Sequence, residues 1–212
     1  MTSQLHCFAQ SGNAYKAALM LELCGEAWEP IFVDFFNGGA RSPDYAAVNE
    51  MAEVPTYSDG NVRLSQSGVI LDYLAAKHGR FGPQSEEERR EILRWTLWDN
   101  HKLTANIASA RFMQLYLAEK HRKPDVIDFL MGRARAAMKI LDRRLEGRDW
   151  ILGDRPTIAD LSCAGYMFFL EEIAVDPAAT PNLARWRDRI KALPGWRHPY
   201  DLMPGHPLPA TA

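Results

Sequence analysis

The chain has 212 residues, of which 47% are hydrophobic and 25% charged, a composition typical of a globular protein with one large or two small domains. Its formal net charge of −2 gives no electrostatic support to a nucleic-acid or anionic-membrane partner, and no apolar run approaches the roughly 20 residues of a membrane span. Three cysteines without a CxxC spacing argue against a disulfide framework or a zinc site and fit a reducing cytoplasm.

The first eighty residues predict a sheet flanked by helices. A short apolar strand over residues 5–8 is followed by a helix over 14–24, which ends at Gly25, and by a second strand over 31–33. Strand, helix and strand within about thirty residues are typical of a βαβ unit, whose right-handed crossover makes the two strands parallel.

A hairpin and two further helices complete this half of the chain. The short helix begins at Ser42 and Pro43. The hairpin has a strand that begins at Val54-Pro55, a turn at Asp59-Gly60 and a return strand over 62–64. The second helix spans 68–78, with Ser67 as its cap and Gly79 at its end. The predicted order is β-α-β-α-β-β-α, a four-stranded mixed sheet. The helix N-terminus at Ser67 presents unpaired N–H groups and a partial positive charge, which suit a carboxylate ligand.

The rest of the chain predicts helices only. They are a helix from Ser85 to about residue 120, an amphipathic helix from Pro124 to Gly147, an apolar helix behind the capping-box motif Thr157-Ile158-Ala159-Asp160, and a last helix begun at Thr180-Pro181. We expect the apolar helix to be the buried centre of this domain. The tail over residues 196–212 holds four prolines and no periodicity.

Three motifs in this order and spacing resemble the cytosolic glutathione S-transferase family of bacterial type. They are Glu53-Val54-Pro55, the segment Gln-Ser-Gly-Val-Ile-Leu-Asp-Tyr-Leu over residues 66–74, and Thr157-Ile158-Ala159-Asp160. The resemblance implies an α/β thioredoxin-like domain over residues 1–80, a linker over 81–86, and an all-α helical domain with the prolyl tail over 87–212. It also implies glutathione as cosubstrate, no metal and a homodimer.

The resemblance places the thiol ligand at the hairpin. It implies a cis peptide bond before Pro55, with the main chain of Val54 pairing with glutathione like one more strand; an ordinary trans proline at an edge strand is the alternative. Ser67 matches the serine that binds the γ-glutamyl carboxylate, a role compatible with capping the helix.

Two positions depart from the family pattern. Gln66 stands where many members have an acid for the γ-glutamyl ammonium, and a neutral amide makes a weaker contact unless another acid helps. Glu53 stands where many relatives have a lysine, and its charge would repel the glycyl carboxylate of glutathione. Arg41 matches a basic position and either takes over that carboxylate or is a solvated loop charge, so the preferred thiol is either glutathione held by Arg41 or a different one.

The family activates its thiol near the end of the first strand. Ser11 matches the catalytic serine, and Asn13 lies within reach as a second donor; the alternative is that Ser11 only caps the helix and Asn13 sits in its first turn. Because a free thiol has a pKa near 8.5, a hydroxyl donor and a helix N-terminus together are expected to lower it by about one or two units. No cysteine stands at residues 10–12, which disfavours a mixed disulfide with the protein.

The resemblance puts the electrophile against the first long helix of the second domain. Trp98 and His101 lie at a spacing that shares one face and are candidates for that pocket, with core or dimer-interface packing as the alternative. The aromatic tail either folds back as a lid or is solvated and disordered.

Three functions are compatible with the sequence. The first is transfer of glutathione to a small electrophile, and the second is glutathione-dependent reduction of peroxides or disulfides. The third is a non-catalytic ligand-binding or dimerisation module, which gains weight from Glu53 and Gln66.

Overall fold

The structure is a computed structural model and describes residues 2–208. Contacts divide the chain into two compact units. The first holds the described residues up to Arg80 together with those from Leu193 onward, and the second spans Phe81–Ala192.

The first unit is built on a four-stranded mixed sheet of order β2-β1-β3-β4. The strands are β1 Ser3–Cys7, β2 Trp28–Phe32, β3 Thr56–Ser58 and β4 Arg63–Ser65. Strand β1 pairs in parallel with β2 and antiparallel with β3, and β4 returns antiparallel to β3. The predicted fold class and topology of this half are therefore confirmed, with strand bounds that differ by one to three residues from those predicted.

Local capping signals set the helix ends of this unit. Its helices are α1 Gly12–Cys24, α2 Pro43–Ala46 and α3 Ser67–His78. Ser42 caps α2 by accepting from the Tyr45 N–H at 3.2 Å, and Gly25 and Gly79 end α1 and α3 in the left-handed conformation that glycine tolerates best. One expectation is corrected: Gln66, not Ser67, occupies the cap position of α3, at φ 68°, and Ser67 is the first helical residue.

The second unit is all helical. Its α-helices are α4 Glu86–Trp98, α5 Ala105–Arg111, α6 Pro124–Arg144, α7 Ile158–Ala164 and α8 Pro181–Lys191. Two π-helical turns, Asp99–Thr104 and Phe112–Tyr116, follow α4 and α5, so the long predicted helix runs to residue 116 with two changes of winding.

The buried centre of this unit is α7. The capping box is present, with the Asp160 carboxylate accepting from the main-chain N–H of Thr157 at 2.9 Å. Asp160 also accepts from the Ile151 N–H and from Trp186 Nε1, each at 2.9 Å, and is fully buried. The helix is shorter than predicted, but every residue from 158 to 170 is buried, as expected.

The tail is the main difference from the sequence-based domain division. The sequence predicts residues 87–212 as one helical domain with its tail, whereas the described tail residues, 193–208, contact the sheet-containing unit instead, and residues 209–212 lie outside the described part of the chain. A short helix, α9 Pro199–Leu202, lies in this segment and contacts α1. Leu202 and Met203 are buried there, which explains why a segment without periodicity is ordered: its apolar side chains have a tertiary partner.

Candidate functional site

The candidate site begins where β1 ends and α1 starts. Ser11 is the N-cap of α1, and its Oγ accepts a hydrogen bond from the Ala14 N–H at 3.1 Å. The serine is only 5% exposed. A hydroxyl that accepts through its lone pair keeps its proton as a donor, so capping the helix and donating to a thiolate are compatible roles for one atom.

Asn13 stands in the first turn of the same helix. Its Oδ1 is buried, and the side chain has no hydrogen-bond partner among residues 2–208. A buried polar atom without a partner is costly, so a ligand that pairs with it would gain that free energy. Ser11 and Asn13 therefore lie together at a positively polarised helix end, as the sequence predicted.

The hairpin contributes main-chain groups. The peptide bond between Val54 and Pro55 is cis, as expected. The Val54 side chain packs against a buried cluster that includes Val33 and Tyr45. In the described part of the chain, neither the N–H nor the C=O of Val54 has a hydrogen-bond partner, so both are available to a bound strand-like ligand.

Two residues that the sequence analysis missed hold the chain just before Val54. The carbonyl of Glu53 accepts from the Tyr45 hydroxyl at 2.8 Å and from Asn49 Nδ2 at 2.7 Å. Asn49 and Tyr45 are both buried. Only Tyr45, one turn after the Ser42 cap, gave a signal, since a tyrosine on the inner face of a short helix has a hydroxyl that needs a partner.

The N-terminus of α3 is open. Between residues 2 and 208, the main-chain N–H groups of Ser67 and Gly68 have no hydrogen-bond partner, and the Ser67 hydroxyl makes no hydrogen bond either. The main-chain carbonyl of Gln66 accepts hydrogen bonds from the N–H groups of Val69 and Ile70, at 3.0 Å each. Two N–H groups and a hydroxyl at a helix N-terminus form a binding place for a carboxylate.

Gln66 and Glu53, the two residues that depart from the family pattern, contact each other. Gln66 Nε2 donates to Glu53 Oε2 at 3.1 Å, and both side chains are exposed. The Glu53 carboxylate has no ion-pair partner within the described residues. It therefore leaves a negative charge beside the amide of Gln66 and next to the open end of α3.

Arg41 ends a 3₁₀ turn that precedes Ser42, and its side chain is exposed. Among the described residues its guanidinium has no hydrogen bond or ion pair. The turn approaches Asp34 so closely that a Cβ on Gly39 would lie 2.7 Å from the Asp34 carbonyl oxygen. This close approach restrains the backbone of the turn, and with it the position of the Arg41 Cα atom.

Trp98 and His101 belong to the helical unit. Trp98 is half-buried and meets Trp95 edge-on with ring centroids 5.1 Å apart, and His101 is exposed on the first π-helical turn. The π geometry changes the three-to-four spacing on which their shared face was predicted. Their place in an acceptor pocket stays a prediction.

The protein's own thiols do not supply a nucleophile at this site. Cys7 is fully buried at the end of β1, and burial raises the pKa of its thiol to about 12. Within residues 2–208, no group of three or more histidine, cysteine, aspartate or glutamate side chains is arranged to hold a metal ion. The same residues contain no helix with the length and hydropathy of a membrane span.

Comparison with protein families matches both halves of the chain. The family model for the glutathione S-transferase N-terminal domain matches residues 3–76, and the model for the C-terminal domain matches residues 104–194. Among curated proteins, the chain is 28% identical over 198 residues to the disulfide-bond oxidoreductase YfcG of Escherichia coli, covering 88% of this chain and 89% of the relative.

Solved structures agree with this match. A possible glutathione S-transferase from Rhodopseudomonas palustris superimposes with a TM-score of 0.87 at 28% identity, over 96% of this chain and 92% of the other. A glutathione transferase from Burkholderia graminis, which has two glutathione molecules bound per subunit, gives a TM-score of 0.83 at 27% identity, over 92% and 85%.

Proposed function

The chain belongs to the glutathione S-transferase family, and we propose that its first unit binds glutathione and activates the thiol for attack on a small electrophile. The observation that carries this proposal is the set of unsatisfied groups that lie along the hairpin and the two helix ends. These are the Val54 main chain, the Ser67 and Gly68 N–H groups, and the Asn13 side chain.

Each part of the tripeptide finds a chemical partner. Ser67 and the open end of α3 bind the γ-glutamyl carboxylate, and Val54 pairs with the main chain of the cysteine residue. Arg41 is proposed for the glycyl carboxylate, because its guanidinium is exposed and has no protein partner within the described range.

We assign Glu53 a different role from the one its position suggested. Its carboxylate lies 3.1 Å from the Gln66 amide, so it supplies the negative charge that Gln66 lacks. The γ-glutamyl ammonium is the part of glutathione that needs such a charge. In this arrangement Glu53 attracts one end of the ligand rather than repelling the other.

Ser11 and the N-terminus of α1 stabilise the thiolate. Bound glutathione supplies the sulfur nucleophile, which forms a C–S bond while a leaving group departs or a double bond becomes saturated. Each unit by which Ser11 and α1 lower the thiol pKa corresponds to about 1.4 kcal/mol. We propose the amide N–H group of Asn13, in the first turn of the same helix, as a second donor.

Reduction of a disulfide is a second candidate, favoured by the similarity to an oxidoreductase of that kind. Two glutathione thiols would be oxidised to their disulfide while the substrate disulfide is reduced to two thiols. No protein cysteine is required, consistent with the buried thiol of Cys7. The same thiolate serves both reactions, so the acceptor decides between them.

Calorimetry and an activity panel test this proposal. Titration with glutathione should give saturable binding with one equivalent or more per chain, and a panel of aryl halides, enones, peroxides and organic disulfides should identify turnover. A chain that binds no glutathione under these conditions is a non-catalytic module, and the proposal is then wrong.

We also propose a homodimer formed through the helical unit. Exposed apolar side chains line α4 and α6: Leu93, Leu97, Val126, Phe129 and Ile140. Leu93 and Leu97, which are 55% and 61% exposed, are four residues apart and share a face. Sedimentation should show a dimer for the wild type and a monomer for the Leu93→Glu, Leu97→Glu double variant, while Leu208→Glu, at an exposed leucine of the other unit, should remain dimeric.

A further inference from the structure

The C-terminal strap, defined as residues 196–208, runs back along the helix that begins at Ser11. Just before it, Gly195 passes so close to the C-terminal turn of α1 that a Cβ there would lie 3.0 Å from the Glu22 carbonyl oxygen. Further along, the Arg197 carbonyl accepts from the Tyr15 hydroxyl at 2.9 Å. The strap thus follows α1 from its last turn toward its first.

At the start of α1 the strap binds the two residues that precede Ser11. The Ala9 N–H donates to the Pro204 carbonyl at 2.7 Å, and Gln10 Nε2 donates to the Gly205 carbonyl at 2.7 Å. Both Ala9 and Gln10 are buried. These bonds join positions about 195 residues apart in the sequence.

A close contact fixes the strap on its other side. Gly205 has φ +93°, a conformation that favours glycine, and a Cβ there would lie 2.6 Å from Cε2 of Phe32. Phe32 is the last residue of β2 and pairs with Cys7 across the sheet. Gly205 therefore contacts Phe32 at the end of the sheet and also binds Gln10 in the Ala9–Ser11 loop.

We infer that the strap positions the thiol-activating serine. Gln10 is the positioning residue, because its side chain joins the Ala9–Ser11 loop to the strap by a hydrogen bond. The inference rests on the proposed role of Ser11. Within its own turn, the loop is held by the Ser11 N–H donating to the Phe8 carbonyl at 3.0 Å. The bonds at Ala9 and Gln10 add two constraints from outside that turn, and they restrict where the Ser11 hydroxyl points.

A hydroxyl donor stabilises a thiolate only at hydrogen-bond distance and alignment, so a loop that shifts loses stabilisation without losing the fold. Loss of the strap contact should therefore appear as a higher pKa of the bound thiol. Affinity for the glutathione carboxylates should change little, because those groups are bound at α3 and Arg41. This separates a positioning role from general loss of structure.

Two variants test the hydrogen bond between Gln10 and Gly205, one at each of these residues. Gln10→Met keeps the side-chain length and removes the donor, and Gly205→Ala introduces a methyl group against Phe32. Gln4→Met is the matched control, since Gln4 lies on β1, the strand that leads into the loop, and donates to Glu29 at 3.4 Å rather than to the strap. The measurement is the ultraviolet absorbance of the thiolate in each glutathione complex as a function of pH, together with the melting temperature and the dissociation constant.

We expect Gln10→Met and Gly205→Ala each to raise the bound-thiol pKa by about half a unit to one unit, which is about a three- to tenfold loss of thiolate at acidic to neutral pH. The double variant should show less than the sum, because both changes act on one contact. Gln4→Met should match the wild type. A bound-thiol pKa that stays at the wild-type value in both variants overturns the inference while leaving the proposed function intact; a wild-type complex that titrates like free glutathione removes the proposed role of Ser11 and this inference with it.

Discussion

Gln66 donates a hydrogen bond to the carboxylate of Glu53 at 3.1 Å, and this contact brings the Glu53 charge to the open end of α3. If that charge binds the γ-glutamyl ammonium, Glu53→Gln should weaken glutathione binding about tenfold, which corresponds to the roughly 1.4 kcal/mol typical of a charge-assisted contact. Calorimetry with glutathione and with an analogue that lacks the γ-glutamyl amine measures this directly.

The sign of that result separates two accounts of Glu53. Repulsion of the glycyl carboxylate predicts tighter binding to Glu53→Gln, whereas attraction of the ammonium predicts weaker binding. The analogue without the amine should bind wild type and variant equally under our assignment. Tighter binding of glutathione to the variant would contradict it.

Arg41 is predicted to hold the glycyl end. Arg41→Gln should lower affinity for glutathione about tenfold and should leave affinity for glutathione amidated at that carboxylate unchanged. Arg63→Gln removes the same charge at an exposed position of β4, where the side chain donates to the Ala47 carbonyl at 3.3 Å, and is the control. Equal losses in the two variants would mean that net charge, not a contact at Arg41, sets the affinity.

A polar cluster in the first unit is predicted to make stability depend on pH. Burial alone would raise the pKa of Glu26, but hydrogen bonds from Ser3, Lys77, His78 and Tyr57 outweigh it and lower the pKa to about 2. Lys77 and Tyr57 each lie 2.9 Å from its Oε1. A carboxylate with a lowered folded-state pKa stabilises the fold above its unfolded pKa of about 4.3, and this contribution is lost as the pH falls toward 2.

We therefore expect Glu26→Gln to lower the free energy of unfolding by about 2 kcal/mol at pH 7 and by progressively less below about pH 4.5. Glu29→Gln, at an exposed position three residues further along, should have an effect within about 0.5 kcal/mol. Urea denaturation between pH 3 and pH 7 tests both. A Glu26→Gln deficit that does not shrink on acidification would show that packing, not charge, is lost.

The second unit should depend on Asp160. Asp160→Ala leaves the main-chain N–H groups of Ile151 and Thr157 and the indole N–H of Trp186 without their acceptor, inside the core. We expect a loss of about 3 kcal/mol or more in the free energy of unfolding. Asp154→Ala, at an exposed aspartate of the preceding loop, should cost less than about 0.5 kcal/mol; comparable losses in thermal or urea unfolding would count against the capping box as the cause.

Local signals were sufficient to predict most of the fold. The caps Ser42, Ser85 and Thr157 and the left-handed glycines Gly25 and Gly79 act within one turn of the chain, so their residue types predict helix ends without tertiary context. The parallel pairing of the first two strands followed from the crossover rule, and the antiparallel pairing of the last two followed from the hairpin. The site roles of Ser11, Val54 and Ser67 came instead from the family resemblance, and they stay predictions.

The features that sequence did not predict depend on distant partners. Gln66 takes φ 68°, which a glutamine seldom adopts, and its contact with Glu53 depends on how the hairpin returns. The strap has no periodic pattern because its order comes from the loop at Ala9 and from Phe32, which lie almost a chain length away. A single sequence contains no signal for such pairings.

The most direct measurement is the thiol pKa of bound glutathione in the wild type and in Ser11→Ala. The account predicts that the wild-type complex titrates about one to two units below the free thiol and that Ser11→Ala returns the bound thiol most of the way to its free value, with glutathione affinity nearly unchanged. A Ser11→Ala complex with the wild-type thiol pKa would contradict the central claim that this serine stabilises the thiolate.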